Sequence, residues 1–197
     1  MATERVCEIS RVTAETEVRL RLNLDGPGEH RIDTGVPFLD HMLTHVAVHT
    51  PLDLELTCKG DTQIDAHHSV EDVGIVLGQA LRQALGDKAG IARYGDRVLP
   101  MDETLVLVAL DFSGRPLLVY DVAIPAATVG TFDTELVAEF LRAMATHAGL
   151  TLHVRLLASG NSHHIIEAIF KALGRALGEA VSLDPRRAGV PSTKGVL

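Results

Sequence analysis

Tryptophan is absent from this chain, and Phe and Tyr bring the aromatic share to only 4%. So sparse a set of flat rings argues against a surface that binds nucleic acid by base stacking. Cysteine is scarce too, with Cys7 and Cys58 the whole complement. Two isolated thiols outside any Cys-x-x-Cys pattern make neither a disulfide scaffold nor a thiolate metal cage, and a reducing, cytoplasmic setting is expected. No apolar run approaches a membrane span, and the first ten residues, MATERVCEIS, lack the apolar core of a secretory signal. Basic residues are outnumbered, 18 Lys and Arg against 26 Asp and Glu, for a formal charge of −8 with His neutral. A net acidic chain is a poor nonspecific binder of nucleic acid, so no nucleic-acid partner is expected, while a local basic pocket for a small anion stays open.

What the chain has is apolar residues and histidine. Of 197 residues, 46% are apolar, enough to bury a core and too many for intrinsic disorder. The ten histidines are clustered. Apolar periodicity predicts a strand over 18–24, closed by the turn Asp25-Gly26-Pro27-Gly28, then a helix over 34–49 with Thr34 or Asp40 as its cap. An alternating strand from 52 to 60 follows, then a helix over 68–85 ending at Gly86. The order then recurs: strands over 105–111 and 117–124 split by the turn Ser113-Gly114-Arg115-Pro116, a helix over 134–147, a strand over 150–156 and a helix over 163–181.

The recurrence extends to individual residues. HHSVEDVGIVLGQALRQALG from His67 resembles HHIIEAIFKALGRALGEAV from His163, at an offset of 96; DHMLTHVAVHTPLDLEL from Asp40 lines up with AEFLRAMATHAGLTLHV from Ala138, at an offset of 98. A repeat this long implies duplication of a small α+β unit, 1–90 and 91–197, packed as one body.

The duplicated histidines carry the chemistry. His67-His68-x-x-Glu71 and His163-His164-x-x-Glu167 open the two long helices. His and Glu at i, i+4 share a helix face and can chelate a divalent ion. The adjacent His is rotated by roughly 100°, so each segment serves sites shared with other segments. Imidazole plus carboxylate without thiolate suits Mn, Fe, Co, Ni or Zn. In the preceding helices His41 aligns with Glu139 and His49 with His147, and His45 lies one turn after His41. By themselves these residues describe a duplicated dimetal protein. A two-metal hydrolase, or a non-enzymatic metal- or RNA-binding module, stays open at this point.

Seven segments carry a resemblance to a known family: TGVPFLDHML (34–43), DAHHSVED (65–72), GDKAGIARYGD (86–96), LPMDE (99–103), SGRP (113–116), NSHHIIEA (161–168) and PSTKGVL (191–197). In order and over nearly the whole chain, they resemble imidazoleglycerol-phosphate dehydratases of histidine biosynthesis. The resemblance implies a duplicated α+β fold in which each half is a mixed four-stranded sheet with two helices on one face, similar to the second domain of ribosomal protein S5. It implies a homo-oligomer of 24 subunits with active sites between subunits, and dehydration of D-erythro-imidazoleglycerol phosphate to imidazole acetol phosphate. Two Mn ions per active site would bind the substrate imidazolate. Carried over by position, the metal ligands are His41, His67, His68, Glu71, His163, His164 and Glu167, with Glu139 standing where the family has His. Glu15 is implied as the acid–base residue and Asp102, with its neighbour Glu103, as a substrate contact; His45 and His49 are further candidates for proton transfer or for holding the substrate hydroxyls. Arg93, Arg115, Ser192 and Lys194 are implied to bind the phosphate, with Arg97 as an addition.

Overall fold

The computed structural model describes residues 5–187 and 189–197. The first half folds as β1 (Val6–Val12), β2 (Thr16–Asn23), β3 (His30–Asp33), α1 (Pro37–His49), β4 (Asp53–Gly60) and α2 (His67–Leu85). The second follows with β5 (Tyr94–Met101), β6 (Thr104–Asp111), β7 (Leu117–Asp121), a small ribbon of β8 (Thr128–Val129) and β9 (Phe132–Asp133), α3 (Leu136–Ala148), β10 (Thr151–Ala158) and α4 (Ser162–Val181). The sheets have the same topology, β1-β2-β4-β3 and β5-β6-β10-β7, each with two antiparallel pairings and one parallel. Their registers correspond as well: Cys7 lies opposite Leu22 and Leu22 opposite Leu54, as Gly95 lies opposite Leu110 and Leu110 opposite Leu152. The duplication seen in the sequence is therefore a duplication of structure.

The predicted strands and helices are present with shifted ends. Sequence periodicity missed the edge strands β1, β3 and β5. Of these, β3 has four residues and β5 contains Pro100, which an edge strand tolerates because it has no inward ladder bond to donate. The strands on either side of the Ser113–Pro116 turn are not hydrogen-bonded neighbours, because β10 inserts between β6 and β7. Neither Thr34 nor Asp40 caps α1. The N-cap is Val36, followed by Pro37, and the Asp40 carboxylate instead accepts hydrogen bonds from the Thr34 amide at 2.8 Å and hydroxyl at 2.5 Å, bracing the entry loop. Gly86 does end α2, at φ 53°.

Alternation on the central strands sends Val18, Leu20 and Leu22 of β2, and Val106, Val108 and Leu110 of β6, to the face covered by helices. α2 lies on the first sheet and α4 on the second, and the halves join helix to helix, α2 on α3 and α1 on α4. The core is therefore shared. Phe140 of α3 and Phe170 of α4, both about fully buried, meet at 5.4 Å between ring centroids. Burial of each such ring stabilises the fold by about 2–3 kcal/mol. Gly78 and Gly174 permit close, equivalent helix approaches: a Cβ at Gly78 would lie 2.5 Å from the Met144 carbonyl oxygen, and one at Gly174 2.9 Å from that of Val46. Gly78 and Gly174 match at the offset of 96, and Met144 and Val46 at 98. No described helix is long and apolar enough to cross a membrane.

Candidate active site

Helices α1 and α4 bring four predicted residues together. His163 Nε2 lies 3.0 Å from Glu167 Oε2, one turn along α4. From α1, His41 Nε2 approaches the same oxygen at 3.3 Å, and His45 Nε2 lies 3.3 Å from His41 Nε2 and 3.4 Å from Glu167 Oε1. Lys171, a further turn along α4, donates to Glu167 at 2.6 Å. Burial by itself would raise the Glu167 carboxyl, but hydrogen bonds from Lys171 and His163 and the neighbouring His45 outweigh it and hold it at about 2. Burial pushes His45 down to about 4, with Glu167 opposing and His41, Lys171 and His49 adding to the shift. The cluster thus offers an ionised carboxylate beside a neutral imidazole, the protonation states that metal coordination requires. His49 stays out of it, stacked behind His45 at 6.1 Å.

The second His of each pair meets a different set of acids. His68 Nδ1 lies 3.0 Å from Asp61 and 3.8 Å from Glu15, the latter on the β1–β2 hairpin turn. His164 Nδ1 lies 3.2 Å from Glu103 and 3.8 Å from Asp102, on the β5–β6 turn. The two arrangements correspond: a helix start, its second imidazole and a hairpin acid. The nearer carboxylate occupies Nδ1 in each case and leaves Nε2 free to act as a ligand. Asp61 raises His68 from the ordinary histidine value. The backbone amide of Asn161 and its own amide, then His164, hold Glu103 down at about 2.

The corresponding place on α2 and α3 is open. Glu71 is exposed, and no bond joins it or His67 to Glu139 among the described residues. Glu139 pairs instead with Arg142 at 2.5 Å. Where α1 offers imidazoles to Glu167, α3 offers a carboxylate, and like charges do not gather without a cation between them. The donors around Glu167 and His164 suit a metal, and Glu139 would have to leave Arg142 to join one.

The predicted phosphate residues gather elsewhere. Arg93, Arg115, Ser192 and Lys194 line one open cleft of about 730 Å³. Arg93 is largely engaged there: its guanidinium donates to both oxygens of Asp111 at 2.7 and 3.1 Å and to the Pro191 carbonyl at 2.7 Å, which ties the C-terminal segment to β6. Arg97 does not join the cleft. It sits two pairs farther along β5 than Gly95 and faces Glu179 at 3.5 Å.

Asp61 and Lys171 escape the sequence reading as site residues, and Glu103 enters it only as a neighbour of the substrate contact Asp102. For Glu103 the signal was the repeat itself, since Glu15-Thr16 and Glu103-Thr104 occupy the same place after the two hairpin turns. Lys171 is at i+4 from Glu167. Asp61 has no counterpart in the second half and required coordinates.

A family model described as imidazoleglycerol-phosphate dehydratase matches residues 34–177. The imidazoleglycerol-phosphate dehydratase of Moorella thermoacetica is 58% identical over 189 residues, 96% of each chain. That of Pelobacter propionicus is 60% identical over 193 residues, 98% of this chain and 99% of the relative. Among solved structures, the Staphylococcus aureus enzyme superposes with a TM-score of 0.83 at 44% identity, covering 91% of this chain and 99% of its own. The Pyrococcus furiosus enzyme gives 0.84 at 38%, covering 96% and 100%. Matched over almost its full length in sequence and in fold, the chain belongs to the imidazoleglycerol-phosphate dehydratase family and is a hydro-lyase of histidine biosynthesis.

Proposed function

We propose that the chain removes water from D-erythro-imidazoleglycerol phosphate to give imidazole acetol phosphate, in the cytoplasm, at sites each holding two Mn ions. The observation that carries this reading is the duplicated ligand geometry: two helix starts, each with an imidazole whose Nδ1 is held by a carboxylate, beside a cluster of His41, His163 and Glu167. His41, His67, His68, Glu71, His163, His164 and Glu167 would hold the ions, and Glu139 would complete the set on release from Arg142. Bound Mn supplies Lewis acidity and a template for the ring nitrogens of the substrate.

The chain's own residues do the rest. Arg115 and Lys194 carry cationic groups, and Ser192 a hydroxyl, to bind the phosphate in the cleft. Glu15 lies at the rim of the His68 site, 55% exposed, where its carboxylate can take a proton from the side chain of the substrate and hold it. Asp102 stands at the equivalent rim beside His164 and can hold a substrate hydroxyl.

The site is read as shared between subunits. The His163 cluster opens α4, whereas the cleft adjoins its other end, where the Arg93 amide donates to the Ala180 carbonyl. Seventeen residues of helix separate them by about 26 Å at 1.5 Å per residue. That is far longer than a glycerol phosphate bearing one imidazole ring. This separation supports the reading that a substrate touching both ion and cleft lies between subunits of a homo-oligomer, proposed here to have 24 copies.

The test is metal content and turnover measured together on chelator-stripped protein refilled with Mn. About two Mn per subunit with restored ketone formation is the expected result. About one Mn with weak activity would identify Glu139 as a defective ligand, and no turnover at full loading would overturn the dehydratase reading. Asp61→Asn and Glu103→Gln are each expected to weaken Mn binding about 10–100-fold, the usual loss for a partner that orients a ligating imidazole. Mn titration that leaves both at wild-type affinity would remove those carboxylates from the site.

A further inference from the structure

Behind the phosphate cleft lies a second, more enclosed cavity of about 500 Å³, which shares Arg115 and Lys194 with it and adds Arg82, Lys88 and Gly114. Lys88 is the unexplained member. It is 7% exposed, and the acid whose charge reaches it, Asp111, is already held through both oxygens by Arg93. A buried ammonium without a carboxylate partner costs several kcal/mol unless an anion compensates it. Burial, with Arg82 adding to it, pushes the Lys88 ammonium below the ordinary lysine value.

The backbone makes the choice of residue more pointed. Lys88 follows the Gly86 cap of α2 and sits at φ +64°, in the left-handed region where glycine carries no steric cost. A lysine held there despite that cost has work for its side chain. The side chain runs to the β6–β7 turn that bears Arg115, where a Cβ on Gly114 would lie 3.8 Å from its Nζ. The same point lies 3.0 Å from the Leu197 main-chain carbonyl carbon and 3.6 Å from its oxygen, so the ammonium and the last residue meet at the wall of the cavity that both line.

We infer that Lys88 is a phosphate-binding residue, its ammonium reaching the cleft from beneath the Gly114 turn and joining Arg115 and Lys194 around the anion. The inference rests on the reading of the cleft as the phosphate site. It also explains how the cleft holds a dianion although the Arg93 charge is balanced by Asp111.

The test is calorimetric titration of the Mn-loaded assembly with inorganic phosphate, using wild type, Lys88→Gln, Lys88→Met and Lys88→Arg. Loss of the charge should raise the phosphate Kd about tenfold or more, as expected for a charge-assisted hydrogen bond. Lys88→Arg should retain binding, and the neutral variants should show a raised KM for substrate with kcat and Mn content unchanged. Phosphate binding at wild-type affinity in either neutral variant, whatever its melting temperature, would reduce Lys88 to a packing residue and overturn the inference. Wild-type protein that takes up no phosphate would overturn it too. Phosphate binding without dehydration would count against the proposed reaction and leave the Lys88 assignment standing.

Discussion

Replacement of Glu167 by Ala is expected to lower kcat by at least about 10³-fold, because on the proposed reading it removes a ligand itself and not merely one of the outer partners whose loss typically costs 10–100-fold. Glu167 is the point where His41, His45, His163 and Lys171 converge, and its side chain is only 9% exposed. The variant would leave three imidazoles and an ammonium facing one another with no anion among them. Mn content should fall with activity, and the melting temperature should fall as well. Full Mn occupancy with kcat within tenfold of wild type would move the site away from this cluster. Acid should act through the same group. Its carboxyl is depressed in the fold, so its stabilisation is complete above the unfolded value of 4.5 and is lost as pH falls toward about 2. Glu71, its exposed counterpart on α2, should cost metal on replacement by Ala but little stability.

The second large effect is expected from a single methyl group. Gly95 of β5 lies directly under α4, and a Cβ there would stand 2.0 Å from the Ala176 carbonyl oxygen, 2.9 Å from its carbon and 3.1 Å from the Ala180 nitrogen. All three atoms are helix backbone, so no side chain can turn aside to make room. Gly95→Ala must lift α4 from the second sheet, and with it the helix that carries His163, His164 and Glu167. A destabilisation of about 3 kcal/mol or more is expected, at the upper end of overpacking effects. For a chain of this size that lowers Tm by roughly 6–12 °C. Gly189→Ala is the control, since among the described residues beyond its chain neighbours no atom lies within 4 Å of its Cβ position. It should melt within a degree or two of wild type. Equal melting temperatures for the two variants would contradict the packing of α4 on β5.

Much of this protein was legible before any coordinates. The repeat was visible because both halves retain the same helix-start motif and the same apolar spacing, and the pairing registers of the two sheets bear that out. Central strands and helices declared themselves through periodicity, since each presents one face to the core. Edge strands β1, β3 and β5 did not, because pairing on one side only relaxes the demand for alternation and admits Pro100. The family motifs named the candidate ligands, but they could not say which would meet.

Those meetings were decided by tertiary structure. His41 and Glu167 are 126 residues apart, and only the crossing of α1 on α4 at Gly174 brings them to 3.3 Å. His67 and Glu71 carry the same motif, yet α3 offers them Glu139, which has turned to Arg142. Arg93, implied by the resemblance to bind phosphate, is a neutralised strut in the fold, and Lys88, just past the end of α2, is a buried charge. Composition and spacing determine what each residue can do locally. Desolvation, charge neutralisation and close approach depend on neighbours distant in the chain, so they arise only when the two halves pack.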